Sequence, residues 1–268
     1  MSDTIHTQPK RLLAVGDIHG HLDKLQGLMA QVNPTTNDRV VFLGDYIDRG
    51  TDSKGVIEYL IDFKKRFPTT VFLRGNHEQM LLDAMVEDRI LSGQSNASNY
   101  RKRLTDESKK FASEDTYQND YRRYTDNDGQ STLANYGGYI WDIPTEHEHF
   151  IASCKFSHRV TKTVKTPTNS KRQKFIFVHA GLCPEAAYNN KKQDKSDMLW
   201  TRKPFLGLTW DWFGAIVVHG HTPEPEAPVF KEHRIGLDAG VCNQSFGSEV
   251  WGRVVCCDVL THEYWEQA

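Results

Sequence analysis

Arg11-Leu12-Leu13-Ala14-Val15-Gly16-Asp17-Ile18-His19-Gly20 is an apolar run that stops at a glycine and is followed by a carboxylate and an imidazole. A short run of aliphatic and β-branched residues closed by glycine reads as a strand buried on both faces. The pattern returns twice. Arg39-Val40-Val41-Phe42-Leu43 ends at Gly44-Asp45-Tyr46-Ile47-Asp48-Arg49-Gly50, and Thr70-Val71-Phe72-Leu73 ends at Arg74-Gly75-Asn76-His77-Glu78. Between the runs, Leu22, Leu25, Leu28 and Met29, then Val56, Ile57, Leu60 and Ile61, recur at helical spacing. Strand-helix-strand alternation predicts βαβ units and a largely parallel sheet. Ligands of such sheets gather outside the carboxyl ends of the strands, where all three polar segments fall.

The last third repeats the device. Lys174-Phe175-Ile176-Phe177-Val178 precedes His179-Ala180-Gly181, and Ala215-Ile216-Val217-Val218 precedes His219-Gly220-His221-Thr222. Arg234-Ile235-Gly236-Leu237 precedes Asp238-Ala239-Gly240, and Val250 to Leu260 predicts one or two further strands. The middle, from about Glu87 to Trp141, breaks the rhythm. Residues 92–132 are polar and read either as a partly helical cap over the crevice or as a solvated loop. The basic, threonine-rich stretch Lys162 to Lys174 reads as an exposed hairpin or loop. The expected organisation is one α/β domain over residues 1–268 with an insertion at about 87–141.

A chain of 268 residues can bury a substantial core without staples. A hydrophobic share of 38% and a charged share of 25% describe an ordinary globular protein. The net charge of -2 gives no support to a dedicated nucleic-acid or anionic-membrane binder. Five cysteines without a CxxC pair argue against a disulfide framework or a cysteine zinc site, and suit a reducing compartment. Cys256 and Cys257 read as members of a late buried strand. Met1 to Lys10 has no apolar signal core, and no stretch approaches membrane-span length, so the expectation is a cytoplasmic protein.

Asp17 and His19, two apart in extended chain, share a face and can bind one ion together. Asp45, Asn76, His179 and His221 follow strands in the same way. Oxygen and nitrogen donors without thiolates suit Mn, Fe or Zn. Asp45, with two oxygens, is the natural bridge. Two ions roughly 3.5–4 Å apart can clamp a phosphate and lower a bound water's pKa toward about 7. No serine or cysteine nucleophile is then required. His77 is placed to protonate a leaving alkoxide, with Asp48 to hold the imidazole charged and oriented. Arg49 and Arg74 are candidates to grip phosphate oxygens through a planar fork.

The three opening motifs resemble the GDxHG, GDxxDRG and GNHE pattern of the phosphoprotein phosphatases, the serine/threonine branch of the metallophosphoesterases. His179-Ala180-Gly181 and Gly220-His221-Thr222 fit as well. Leu199-Trp200-Thr201-Arg202 resembles the Leu-Trp-x-Arg stretch of the compact bacterial and phage-type enzymes. Other metallophosphoesterases carry Gly-His-x-His, whereas Pro223 stands at that last position here. The resemblance implies a β-sandwich flanked by helices, with two divalent ions at its edge, Mn²⁺ first and Fe or Zn as alternatives. It implies Asp17 and His19 on the first ion, Asp45 bridging, and Asn76, His179 and His221 on the second. His77 would be the general acid with Asp48. Arg49 and Arg202 would hold phosphate, with Arg74 a third candidate. The implied substrates are phosphorylated proteins or peptides. Dinucleoside polyphosphate hydrolases are the alternative, but those relatives depart from Asp48-Arg49-Gly50 and Glu78. A catalytically silent scaffold conflicts with retention of every ligand and His77.

Several residues have plainer readings. Arg74 can orient the Gly75-Asn76 turn instead of binding phosphate. His219 reads as a strand-end histidine or a support for the ligands. Asp238 supports His221 or His179, or caps the turn before Gly240. His147, His149, His158 and His233 read as ordinary surface histidines. Trp200, Phe205, Trp210, Trp212 and Phe213 read as core.

Overall fold

The computed structural model describes residues 10–91, 120–165, 170–188, 192–209, 211, 213–243 and 251–268. Two five-stranded sheets face each other. The first has the order β10-β9-β1-β2-β3, built from β1 (Leu12–Val15), β2 (Arg39–Phe42), β3 (Val71–Phe72), β9 (Val254–Asp258) and β10 (Tyr264–Gln267). The second has the order β4-β5-β6-β8-β7, built from β4 (Ser157–Lys165), β5 (Ser170–Val178), β6 (Ile216–His219), β7 (Val229–Phe230) and β8 (Arg234–Gly236). Strands β1, β2 and β3 are parallel, as are β5, β6 and β8, while β9 pairs antiparallel with β1, β10 with β9, β4 with β5 and β7 with β8.

Alternation along the strands explains why they read as unbroken apolar runs. Leu12, Ala14, Val41 and Leu43 pack with Phe175, Phe177, Val218, Ile235 and Leu237 between the sheets. Leu13, Val15, Val40 and Phe42 face outward under α1 (Leu22–Val32) and α2 (Ser53–Arg66), against Leu25, Leu28, Val56, Ile57, Leu60 and Phe63. Ile176, Val178 and Val217 do the same on the far side, against Leu182, Met198 and Phe205. A strand covered on both faces has no polar face to show. The plain parallel-sheet expectation therefore gives way to a sandwich of mixed sheets, as the family resemblance implied.

Helix ends follow ordinary capping physics. The Asp52 side chain accepts from the Gly55 amide at the start of α2, and Asn33 closes α1 in the left-handed region. Helix α3 (Asn76–Leu91) begins inside the third motif and runs through the start of the expected insertion. After residues 92–119, which lie outside the described residues together with that part of the expected cap, come α4 (Asp120–Tyr124), a kinked turn (Thr125–Gly129), α5 (Gln130–Asn135) and α6 (Thr145–Ser153). The Arg89 guanidinium grips Glu148 with bonds of 2.8 and 2.6 Å, joining α3 to α6. The later helices are α7 (Pro184–Tyr188) and α8 (Lys195–Trp200).

The basic stretch is a hairpin: β4 pairs with β5 from Ser157↔Val178 to Lys165↔Ser170. Cys256 and Cys257 are fully buried in β9. His147 is not a surface residue. It is buried, with the Tyr136 ring edge-on at 5.7 Å and the Tyr136 hydroxyl 2.8 Å from its Nδ1. His149 is exposed, while His158 and His233 are half-buried. Phe205 is core, Phe213 is half-buried, and Trp210 and Trp212 lie outside the described residues. No helix among the described residues is long and apolar enough to cross a membrane.

Candidate active site

The carboxyl ends of β1, β2, β3, β5 and β6 lead directly into Asp17, Asp45, Asn76, His179 and His221, and all five are buried. Three of the donors sit in unusual backbone. His19, Asp45 and His221 have φ of 45°, 52° and 65°. Asp48 and Arg49 have φ of 71° and 69°. Such left-handed conformations cost non-glycine residues energy and persist only where the surroundings dictate them.

One of those surroundings is Glu78. Its buried carboxylate accepts the amides of Asp45 (2.9 Å), Gly75 (2.8 Å) and Tyr46 (2.8 Å). The third motif thus straps the second into shape. Burial first, and the Asp45 charge second, push the Glu78 carboxyl up to about 7, against the amides that hold it down. The Tyr46 hydroxyl adds a 2.6 Å bond to the Leu73 carbonyl. The strap leaves no room at Gly75, where a Cβ would stand 2.0 Å from Asp45 Oδ1 and 2.4 Å from the Asp45 nitrogen. Glu78→Gln turns one acceptor oxygen into a donor that faces other donors. It is expected to destabilise the fold by about 1–3 kcal/mol in urea denaturation. Unchanged stability would show that the strap carries no load.

Asp45 Oδ2 stands 3.5 Å from His19 Nε2 and 3.4 Å from His179 Nε2. The other ring nitrogens face backbone carbonyls, His19 Nδ1 at Ile47 (2.9 Å) and His179 Nδ1 at Leu43 (3.0 Å). A carbonyl only accepts, so each Nδ1 carries a hydrogen and each Nε2 turns its remaining site toward the carboxylate. Asn76 Oδ1 lies 2.9 Å from both His179 Nε2 and His221 Nδ1. The buried Nε2 of His221 has no hydrogen-bond partner among the described residues. Ligand-type atoms of Asp45, His179 and His221 lie within 4.8 Å of one another, as do those of His19, Asp45 and His77. Asp17 stands beside these groups, its carboxylate accepting the His221 amide at 3.1 Å.

The electrostatics call for added positive charge. Burial, then repulsion by Asp238, pushes the Asp17 carboxyl well above the usual range. Burial disfavours a charged His179, yet Asp45 and then Asp17 and Glu78 overcome it and push the imidazole up to about 9. Burial, and then His179, holds His221 neutral, down to about 2, which keeps the Nε2 lone pair available. Donor chemistry and field both fit divalent cations with oxygen and nitrogen ligands.

His77 Nδ1 donates to Asp48 Oδ2 at 2.7 Å, with both side chains sealed from water. Burial lowers the His77 pKa, but Asp45 and then Asp48 raise it above its ordinary value on balance. The Arg49 fork spans the Nε2 atoms of His19 (2.9 Å) and His77 (3.1 Å). Its side chain is 37% exposed and pairs with Asp128 at 3.7 Å. Arg202 is exposed and its charge reaches His221.

Arg74 corrects one expectation. It does not join the other arginines: it is buried, bonds Gln79 Oε1 (2.8 Å) and the Ala152 carbonyl (2.6 Å), and lies over the Phe156 ring. The chain leaves β3 with this side chain directed at α6, so it braces the third motif. Asp238 caps the turn through the Gly240 amide at 2.8 Å, and His219 bonds Arg234 in a separate network. Trp200 is not simply core: its ring stands edge-on to His221, 6.0 Å between centroids, beneath Arg123. Sequence reasoning missed Tyr124 and Thr132, which both bond Asp48. Nothing local marks them, because their partner lies 76 and 84 residues away.

Two sheets that deliver histidine, carboxylate and amide donors to one edge define the class, a metallophosphoesterase. The chain belongs to the calcineurin-like phosphoesterase family, whose model matches residues 10–259. It is 40% identical over 78 residues to a PP2A-like serine/threonine-protein phosphatase of Saccharomyces cerevisiae, covering 29% of this chain and 21% of the yeast protein. It is 44% identical over 64 residues to the serine/threonine-protein phosphatase 4 catalytic subunit of Kluyveromyces lactis, covering 24% of this chain and 21% of that protein. The matched stretch thus spans about a fifth of these relatives. A crystal structure provisionally assigned as a diadenosine tetraphosphatase superposes with a TM-score of 0.57 at 19% identity, covering 97% of this chain and 94% of that one. A cold-active protein-tyrosine phosphatase of a psychrophilic Shewanella superposes at 0.50 with 14% identity, covering 97% and 80%. These two likenesses concern the fold.

Proposed function

We propose that the chain hydrolyses phosphate monoesters on serine and threonine of proteins or peptides. The observation that carries this reading is the buried Asp48–His77 pair, 2.7 Å apart, beside the cluster centred on Asp45. A monoester with an alkoxide leaving group needs a proton donor, and a positioned imidazole is suited to that task.

In this reading Asp17, His19 and Asp45 would hold one divalent cation, and Asp45, Asn76, His179 and His221 would hold another, with Mn²⁺ the first candidate. Such cations supply Lewis acidity and charge neutralisation at the phosphoryl oxygens. Arg49 and Arg202 orient the phosphoryl group through forked hydrogen bonds. Water attacks phosphorus in line with the leaving oxygen, and the bond from phosphorus to that oxygen breaks. Once Arg49 turns from His77 Nε2 to the phosphoryl oxygens, that nitrogen takes up a proton, and His77 gives it to the leaving oxygen. Asp48, accepting from Nδ1, stabilises the charged imidazole before transfer and keeps its plane fixed.

The test compares initial rates on phosphoserine and phosphothreonine peptides with those on diadenosine tetraphosphate, with Mn²⁺ added. Faster turnover of the phosphopeptides is expected. A strong preference for the dinucleotide would sink the proposal in favour of polyphosphate cleavage.

A further inference from the structure

The Asp48 carboxylate has two oxygens, and only Oδ2 meets His77. Oδ1 accepts from the Tyr124 hydroxyl at 2.9 Å and from the Thr132 hydroxyl at 2.6 Å. Asp48, Tyr124 and Thr132 are all fully buried, so no water competes for these bonds.

The hydrogen count leaves one arrangement. Thr132 Oγ1 lies 2.9 Å from both the Asp48 amide and Ser53 Oγ. A hydroxyl has one hydrogen and two lone pairs. Thr132 gives its hydrogen to Oδ1 and accepts from the Asp48 amide and from Ser53. One side chain therefore clamps Asp48 at backbone and carboxylate together, at a residue whose φ is 71°. Tyr124 can only donate to Oδ1, and burial, followed by the Asp48 charge, keeps its phenol protonated.

Both groups come from the later part of the expected insertion, at about 87–141. The kinked turn between α4 and α5 lets Tyr124 and Thr132 point at the same oxygen. Gly129 lies against the Tyr124 ring, where a Cβ would stand 2.6 Å from ring carbons. Asn135 ties the unit down further, accepting from the Ser53 amide (2.7 Å) and donating to the Thr51 carbonyl (3.0 Å).

We propose that Tyr124 and Thr132 are positioning residues for the Asp48–His77 pair, so that the later part of the insertion is part of the acid machinery. The proposal rests on the reading of His77 as the general acid. Acid catalysis matters most for a poor leaving group, which gives a readout that general loosening of the fold does not share. Tyr124→Phe and Thr132→Val are each assayed on a phosphoserine peptide and on 2,4-dinitrophenyl phosphate, whose leaving group needs no proton. Turnover of the peptide is expected to fall about 10–100-fold, the usual cost of removing a group that orients a functional residue. Turnover of the dinitrophenyl ester is expected to stay within about threefold of the parent. Thr132→Ser, which keeps the hydroxyl, is expected to restore most of the peptide rate. Tyr124→Phe removes one oxygen and adds no volume, so it tests the idea even if Thr132→Val does not fold. Equal losses on both substrates, or no loss on the peptide, would overturn the proposal while a selective loss in His77→Asn upholds the acid itself. Equal losses in His77→Asn would remove the acid assignment and this inference with it.

Discussion

His77→Asn is expected to lower turnover of a phosphoserine peptide by about 10²–10⁴, the usual range for loss of a general acid. The substitution is chosen to separate chemistry from architecture. The His77 backbone amide donates to Asp45 Oδ1 at 3.1 Å, and any side chain preserves that bond. An asparagine amide can still donate to Asp48 Oδ2 in place of the His77 Nδ1 hydrogen. The cluster around Asp45 is therefore expected to keep its shape and its metal content, measured by inductively coupled plasma mass spectrometry. What is lost is the proton at Nε2, which asparagine cannot supply. A loss of this size corresponds to about 3–5 kcal/mol of transition-state stabilisation, a plausible scale for a single proton transfer. An intact rate with full metal content would show that another group is the acid.

Asp45→Asn should silence the enzyme. Oδ2 faces both His19 and His179, at 3.5 and 3.4 Å. His179 and then His77 hold the Asp45 carboxyl well below the usual range despite its burial. Its negative charge is thus present at every working pH and binds the two halves of the cluster electrostatically. Asparagine has nearly the same shape but no charge, and one of its ends is a donor facing imidazole nitrogens. Turnover is expected to fall below detection, with a matching drop in bound metal. Gly75→Ala should weaken turnover and metal binding without altering any donor, because its Cβ would meet Asp45 Oδ1 at 2.0 Å. Full activity and full metal content in Asp45→Asn would remove Asp45 from the bridging role.

The strand ends were legible because the physics that marks them is local. A strand covered on both faces must be apolar throughout, and the chain must turn polar where it leaves the sheet. Leu12 to Val15, Val40 to Phe42 and Ile216 to Val218 obey this, and each leads to a candidate ligand. Arg74 misled for the same reason. Its place in a motif suggested a role at phosphate, but its direction is set by Ala152 and Gln79, and Ala152 lies 78 residues away. Trp200 answers to both descriptions, since its half-buried ring packs against the core and also stands edge-on to His221.

The sequence by itself determined which residues could form a two-ion phosphoester site, because donor type and strand-end placement are written into consecutive residues. That His19 and His179 meet at one oxygen of Asp45, that Glu78 straps the loop, and that Tyr124 and Thr132 close on Asp48 were decided only by the tertiary structure. Those contacts join segments separated by tens of residues, and the packing of two sheets and the returning α4–α5 segment brings them within hydrogen-bond reach. The opening run from Arg11 to Gly20 names two of the proposed ligands, but the field around them comes from the rest of the fold.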